Sequence, residues 1–172
     1  MKPNAILGSA PKLITVDEAK ALGYTNVYAP ILDVGRDQRW GRYEEIYGED
    51  PFLVAELGIQ MVKGMQKDNK VAATAKHYAI YSAGKGAREG MARVDPQVNP
   101  LEVENVHMYP WRRVIQEGGL LGLMSSYNDY NGEPIQGSRY WLYERLRKDF
   151  GFKGYVVSDS DAVEFLHSKH HT

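Results

Sequence analysis

The residues of this chain that could perform chemistry occur in four groups, each placed directly after a short apolar run. The groups are residues 35–42 (GRDQRWGR), 76–78 (KHY), 126–129 (SYND) and 159–161 (DSD). In parallel α/β folds, ligands bind at the carboxyl ends of the strands, so the four groups are expected to converge on one face. One polar group at a strand end is ordinary, but four that together supply Arg, Lys, His, Tyr and Asp predict a site.

The aspartate of the last group, Asp159, is the strongest candidate for a catalytic residue. Positive charge from nearby Arg, Lys and His favours the ionised carboxylate, which suits a nucleophile or a metal ligand better than a proton donor. The same cations would donate hydrogen bonds to a ligand rich in hydroxyl groups. Retaining glycoside hydrolysis uses such a carboxylate, together with a protonated one about 5–5.5 Å away. The 12 Tyr and 3 Trp residues, against 4 Phe, supply the rings with a polar edge that suit a sugar site.

The elements that must position these groups alternate between apolar runs and helical segments, which predicts an α/β fold with parallel strands. The predicted strands are residues 27–34, 71–75, 120–125 and 155–158, with Pro30 marking a distortion in the first. The predicted helices are residues 15–22, 50–67, 99–117 and 138–150. A capping box at Thr15 and Glu18 starts the first helix, and Asp-Pro, Asn-Pro and Ser138 start the others. In the second helix, the predicted apolar face consists of Leu53, Leu57, Met61 and Met65.

The rhythm of these units is that of a (β/α)8 barrel or a doubly wound sheet. A complete barrel needs roughly 250 residues, whereas this chain has 172 and four predicted strands. We therefore expect part of a TIM-like barrel, truncated at both ends, with no finishing element after Asp159. Exposed barrel edges would favour self-association, because their backbone groups are unpaired. His167, His170 and His171 are expected to form a solvated tail.

Composition removes several classes of function. The formal net charge is −1 with scattered basic residues, which predicts no nucleic-acid partner. No apolar run reaches the roughly 18–20 residues of a membrane helix, and residues 1–7 do not resemble a secretion signal. The chain has no cysteine, so thiolate zinc sites and cysteine nucleophiles are excluded. No cofactor is predicted, and the compartment is left open.

Four segments resemble glycoside hydrolase family 3, in the order and spacing of that family from about residue 21 onwards. They are residues 28–51 (YAPILDVGRDQRWGRYEEIYGEDP), 75–78 (AKHY), 124–128 (MSSYN) and 151–159 (GFKGYVVSD). The resemblance implies that the whole chain is part of the N-terminal barrel domain of a β-glucosidase or β-xylosidase. It also implies a carbohydrate substrate.

The resemblance assigns a role to each matched position. Asp159 would attack the anomeric carbon and form a covalent glycosyl-enzyme. The residues implied to bind the sugar or line its site are Arg42, Lys76, His77, Met124, Tyr127 and Ser160. Tyr127 would steady the nucleophile. The remaining charged residues of the arginine-rich segment are expected to form an ion-pair network, namely Arg36, Asp37, Arg39, Glu44, Glu49 and Asp50.

The chain departs from the family pattern in two places and lacks one component. Ser160 stands where many members have Trp, and residues 78–86 lack the His of the β-N-acetylglucosaminidase branch. In glucosidase-type members, the acid/base carboxylate comes from a second domain that is absent from this chain. We therefore expect little activity on natural glycosides from this chain alone, because losing the general acid costs roughly 10²–10⁴ in rate.

Three alternatives remain open from the sequence. An esterase using Ser158 or Ser160 lacks the expected G-x-S-x-G elbow. A metal-dependent barrel hydrolase would use Asp159, Asp161, His77 and His167 as ligands. The third alternative is a non-catalytic sugar-binding or misfolding-prone fragment.

Overall fold

The computed structural model of the chain describes residues 10–83 and 94–172. Its strands are β1 (Asn26–Val27), β2 (Ala72–Tyr78), β3 (Gly122–Ser125), β4 (Asp129–Tyr130), β5 (Glu133–Pro134) and β6 (Tyr155–Ser158). Its helices are α1 (Ala10–Ala21), α2 (Pro51–Gln66), α3, α4 (Tyr140–Asp149, π-helical) and α5 (Ala162–Ser168). Helix α3 is continuous through Pro100–Glu102, a π-helical turn at Val103–His107, and Met108–Gly118. In the described ranges, no helix is long and apolar enough to span a bilayer.

The main sheet is parallel and has the order β1-β2-β3-β6, with helices connecting successive strands. In its register, Ala75 lies opposite Leu123, and Leu123 lies opposite Val156. The predicted α/β class with parallel strands is confirmed. Because the strands share one direction, the residues at their carboxyl ends lie along one edge of the sheet.

Two strand predictions need correction, and both corrections affect the site. The predicted strand 27–34 is a short β1 followed by a cis Ala29–Pro30 peptide and a single bridge from Ile31 to Lys76. Proline cannot donate to a ladder, which explains the interruption. Strand β2 continues to Tyr78, so Lys76 and His77 lie within the strand and not beyond it.

The predicted caps of three helices are confirmed. The Asp50 side chain accepts from the Phe52 amide at 2.8 Å, and the Asn99 side chain accepts from the Glu102 amide at 2.9 Å. The Ser138 hydroxyl accepts from the Trp141 amide at 3.2 Å. The capping box at Thr15 is wrong, because α1 already begins at Ala10.

The buried face of α2 also differs from the prediction. Among the predicted positions only Met65 is buried, and the buried set is Val54, Ala55, Gly58, Ile59, Val62 and Met65. Gly58 explains the rotation of the helix, because a Cβ there would lie 2.7 Å from Leu32 and 2.9 Å from Val114. The missing side chain of Gly58 thus lets α2 approach Leu32 and Val114 of α3 closely.

Elements that the sequence reading missed follow β3 and Asp159. A two-residue turn at Asn131 and Gly132, both with positive φ, joins β4 to β5 in the geometry that Asn-Gly favours. Helix α5 begins directly after Asp161, where no element was expected. The solvated-tail expectation is wrong for His170, which is buried with its Nδ1 2.7 Å from the Asp129 carboxylate. His171 is exposed as expected, whereas His167 is exposed but lies within α5 and not in a tail.

Two apolar clusters support the sheet. The larger lies between the sheet and its helices and includes Leu123 and Trp111. The smaller consists of Trp40, Tyr81, Tyr127 and Ala162, with Tyr43, Ile46 and Phe165 packed against it. It joins the segments that follow β1, β2, β3 and β6, and so fixes the loops at the carboxyl edge of the sheet relative to one another.

The π-helical turn of α3 buries His107, and this makes stability depend on pH. Burial lowers the pKa of His107 to about 4. In the unfolded chain its pKa returns to about 6.5, so the unfolded state binds the extra proton between these values. Lowering the pH from 6.5 to 4 is therefore expected to reduce the free energy of unfolding by up to about 3 kcal/mol.

This dependence can be measured by urea unfolding at several pH values between 4 and 7. In the His107→Leu variant, we expect the free energy of unfolding to fall less steeply as the pH is lowered. The matched control, His167→Leu, changes an exposed histidine and should keep the slope. An unchanged slope in His107→Leu would contradict the assignment.

Candidate active site

Arg42 is fixed by the loop after β1. Two 3₁₀ turns, Gln38–Trp40 and Tyr43–Glu45, flank it, and Gly41 provides the left-handed residue between them with a φ of 83°. The Asp37 side chain caps the first turn by accepting from the Arg39 amide at 2.9 Å. The Arg42 guanidinium lies over the Trp40 ring at 5.6 Å, and the residue is only 7% exposed.

A carboxylate that the sequence reading missed holds this guanidinium. Glu45 accepts from Arg42 Nε at 2.5 Å and from Nη2 at 2.6 Å, in a bidentate pair. Burial opposes the charge of Arg42, but the hydrogen bonds and charge of Glu45 outweigh it and raise the pKa of Arg42. The hydrogen bonds from Arg42 lower the pKa of Glu45 despite partial burial, and the charges of Arg42, Lys76 and His77 contribute. The pair therefore stays ionised.

His77 lies at the centre of the site and is 1% exposed. Its Nδ1 is 2.8 Å from Asp33 Oδ2, and its backbone amide donates to the same oxygen at 3.1 Å. Its Nε2 is 3.0 Å from Arg42 Nη1. The Lys76–His77 peptide is cis.

Asp33 was not singled out in the sequence, although a signal existed. It is the only charged residue in the apolar segment 27–34, and it is 4% exposed. Carboxylates are almost never fully buried without a partner. An acidic residue inside a predicted buried strand therefore pointed to a cation or a hydrogen-bond donor on a neighbouring strand.

Asp159 follows β6 and faces this cluster. Its Oδ2 is 3.6 Å from His77 Nε2, and its side chain is 14% exposed, so the carboxylate remains open to a ligand. The Ser160 amide donates to Oδ1 at 2.8 Å, and the Asp159 amide donates to the Ser125 carbonyl at 3.3 Å. The backbone thus holds the carboxylate, while one oxygen points to His77.

The other predicted site residues surround Asp159 with different contacts. The Tyr127 O–H donates to the Ser160 carbonyl at 2.7 Å, directly after Asp159, and the expectation that Tyr127 steadies the carboxylate stays a prediction. Tyr127 thus anchors the backbone after the nucleophile. Ser160 itself is exposed, whereas Met124 is buried opposite Val157 in the sheet. Lys76 is half-buried, and its charge acts on Glu45.

The expected ion-pair network in the arginine-rich segment is a set of separate pairs. Arg36 pairs with Glu102 at 3.2 Å, and Arg39 pairs with Asp37 at 2.5 Å. Asp50 caps α2, and Glu44 and Glu49 take part in none of these contacts. Arg36 thus ties the loop to α3, Arg39 pairs within the loop, and Arg42 links the loop to His77 beside the nucleophile.

The fold and these contacts define a class of protein. It is a parallel α/β protein with an accessible carboxylate beside a buried histidine, which a buried arginine contacts, at the carboxyl ends of its strands. The alternative metal set is not assembled, because His167 and Asp161 are exposed and no group of three potential ligands occurs in the described part of the chain.

The chain belongs to glycosyl hydrolase family 3. Residues 11–172 match the model of the N-terminal domain of that family. A β-xylosidase of Formosa agariphila is 36% identical over 164 residues, which cover 91% of this chain and 22% of that protein. A periplasmic β-glucosidase of Salmonella typhimurium is 35% identical over 158 residues, which cover 89% of this chain and 20% of that protein.

Solved structures of the family share this fold. A β-glucosidase from Erythrobacter marinus superposes with a TM-score of 0.85 at 37% identity, over 92% of this chain and 22% of that one. The β-glucosidase from Listeria innocua in complex with glucose superposes with a TM-score of 0.83 at 32% identity, over 94% of this chain and 23% of that one. The chain therefore spans about a fifth of the length of the relatives it matches.

Proposed function

We propose that this chain is the nucleophile-bearing part of a retaining β-glycosidase that acts on β-xylosides or β-glucosides. The observation that carries the proposal is the Asp159 carboxylate, which is partly open to solvent and lies 3.6 Å from His77 Nε2. His77 in turn contacts the buried guanidinium of Arg42. The names of the similar proteins, β-xylosidase and β-glucosidase, supply the two substrate classes.

The proposed reaction begins when Asp159 attacks the anomeric carbon of the sugar. A C–O bond forms between them as the glycosidic C–O bond breaks, and the electron pair leaves with the aglycone oxygen. The Ser160 amide holds Oδ1, which leaves Oδ2 as the attacking oxygen. Arg42 and Lys76 are the cationic donors that would bind sugar hydroxyls beside it.

The acid that protonates the leaving group is proposed to come from outside this chain. On this proposal, residues 1–172 form part of an N-terminal barrel domain, and a second domain contributes the acid/base carboxylate. Natural glycosides have poor leaving groups and need that proton. The chain alone should therefore react with substrates whose leaving group needs no proton and should turn over natural disaccharides very slowly.

The proposal is tested with 2,4-dinitrophenyl 2-deoxy-2-fluoro-β-D-xyloside and the corresponding glucoside. Asp159 would displace dinitrophenolate without acid assistance, and the fluorine slows hydrolysis of the adduct. We expect a mass increase of one fluorosugar on the peptide that contains Asp159, measured by mass spectrometry. The faster of the two probes identifies the preferred sugar.

The controls separate the nucleophile from its neighbour. Asp159→Asn should abolish labelling, whereas Asp161→Asn should leave it unchanged, since Asp161 is exposed and lies outside the cluster. Labelling that persists in Asp159→Asn, or that falls on another residue, would count against the proposal.

A further inference from the structure

The contacts of His77 determine which of its nitrogens carries the proton. Asp33 and His77 are both buried, and a single carboxylate oxygen of Asp33 receives the backbone amide and faces Nδ1. A carboxylate only accepts hydrogen bonds, so Nδ1 must carry a hydrogen. A neutral imidazole then has only a lone pair at Nε2.

The contact on the other side of the ring agrees with this assignment. Nε2 is 3.0 Å from Arg42 Nη1, and a guanidinium only donates hydrogen bonds. A hydrogen on Nε2 would place two donors against each other in a buried site. Asp159 Oδ2, at 3.6 Å, lies beyond hydrogen-bond distance of Nε2 and does not require a hydrogen there. Asp33 and Arg42 therefore favour the same tautomer. The Asp33–His77–Arg42 contacts thus form a chain with one direction of donation, from Arg42 to His77 and from His77 to Asp33.

We propose that Asp33 is a positioning residue that fixes His77 in the Nδ1–H tautomer and thereby holds Arg42 beside the nucleophile. In this arrangement His77 offers a lone pair at Nε2. It can accept a hydrogen bond from Arg42 or from a sugar hydroxyl, but it cannot donate one. The effect on glycosylation of Asp159 rests on the proposed function, whereas the tautomer does not.

Replacing Asp33 with Asn tests this role with little change in shape. The carboxamide can donate as well as accept, so it no longer forces a hydrogen onto Nδ1. We expect the Nε2–H tautomer to become populated in Asp33→Asn. Its hydrogen would face Arg42 Nη1 and displace the guanidinium from its present position.

The measurement is ¹⁵N NMR of the imidazoles in the full chain at pH 8. The His77 signal is assigned by its loss in His77→Gln. The parent is expected to show a protonated Nδ1 and an unprotonated Nε2. Asp33→Asn is expected to show a mixture of the two tautomers, or mainly the Nε2–H tautomer. The matched control, Asp17→Asn, removes an exposed carboxylate that pairs with Lys70 and should leave the signal unchanged.

A kinetic readout separates positioning from general destabilisation. In Asp33→Asn, the maximal rate constant for labelling Asp159 with the activated fluorosugar is expected to fall by about 10- to 100-fold, the same size as the loss when the carboxylate partner of a metal-bound histidine is removed. The probe concentration for half-maximal rate should change much less.

The outcomes distinguish this inference from the proposed function. An Nε2–H tautomer in the parent overturns the inference without any variant, even if Asp33→Asn fails to fold. The same tautomer in the parent and in a folded Asp33→Asn also overturns it. The expected tautomers without labelling of the parent would leave Asp33 as the residue that orients His77 and would refute the glycosidase proposal instead.

Discussion

Arg42→Leu is expected to lower the rate of Asp159 glycosylation by about 10- to 150-fold, measured with the activated fluorosugar. A hydrogen bond from a charged group contributes about 1.5–3 kcal/mol, and each 1.36 kcal/mol corresponds to a factor of ten in rate. Arg42 is the buried cation between Glu45 and His77. Its removal takes away a proposed sugar donor and leaves His77 Nε2 without its contact.

Arg39→Leu is the matched control for this prediction. Arg39 lies three residues earlier in the same loop, but its side chain is 77% exposed and its ion pair is with Asp37. An exposed pair of this kind contributes little, so labelling should stay within about twofold of the parent rate. Circular dichroism of both variants checks that the loop change leaves the fold intact. Equal rates for Arg42→Leu and Arg39→Leu would show that the buried guanidinium has no special role.

Arg42→Lys refines the same experiment. Lysine retains the positive charge but lacks the planar fork that matches the two oxygens of Glu45. If geometry matters as much as charge, the lysine variant should label Asp159 nearly as slowly as the leucine variant. A lysine variant with the parent rate would show that charge alone is sufficient.

The local chemistry of the sequence was enough to predict where helices begin. Asp-Pro at residues 50–51 and Asn-Pro at residues 99–100 define their caps through neighbouring atoms only. The same argument would have found the β4–β5 hairpin from Asn131-Gly132. The extent of the first strand was harder to predict, because it depends on pairing with β2. Only Asn26–Val27 and the single residue Ile31 pair with that strand.

The site was predictable where a family motif names the residue, but its supporting contacts were not. Arg42, His77 and Asp159 lie together in the structure, 35 and 82 residues apart along the chain. Asp33 and Glu45 support them through pairings that depend on strand register and on a 3₁₀ turn. Neither feature can be obtained from apolar periodicity, which reports only which side of an element is buried.

The second large effect concerns the close approach of the residue before β6 to the residue before β3. Gly154→Ala is expected to destabilise the fold by at least about 3 kcal/mol, near the upper end of the cost of overpacking. A Cβ at this position would lie 2.0 Å from the Leu121 carbonyl oxygen. That oxygen is part of the backbone and accepts from the Tyr155 amide at 3.0 Å, so it cannot move without breaking the β3–β6 pairing.

Gly118→Ala provides the comparison, because the same methyl group is added where space exists. Gly118 ends α3, and a Cβ there would meet Val62 and Val114 at 3.6 Å, an ordinary contact. Alanine is favoured over glycine in a helix by up to about 1 kcal/mol, so this variant should be as stable as the parent or slightly more so. Urea unfolding of both variants measures the difference. Since β6 carries Asp159 at its end, a folded Gly154→Ala should also label more slowly than Gly118→Ala. Equal stability of the two variants would mean that the β3–β6 register is looser than the described contacts require.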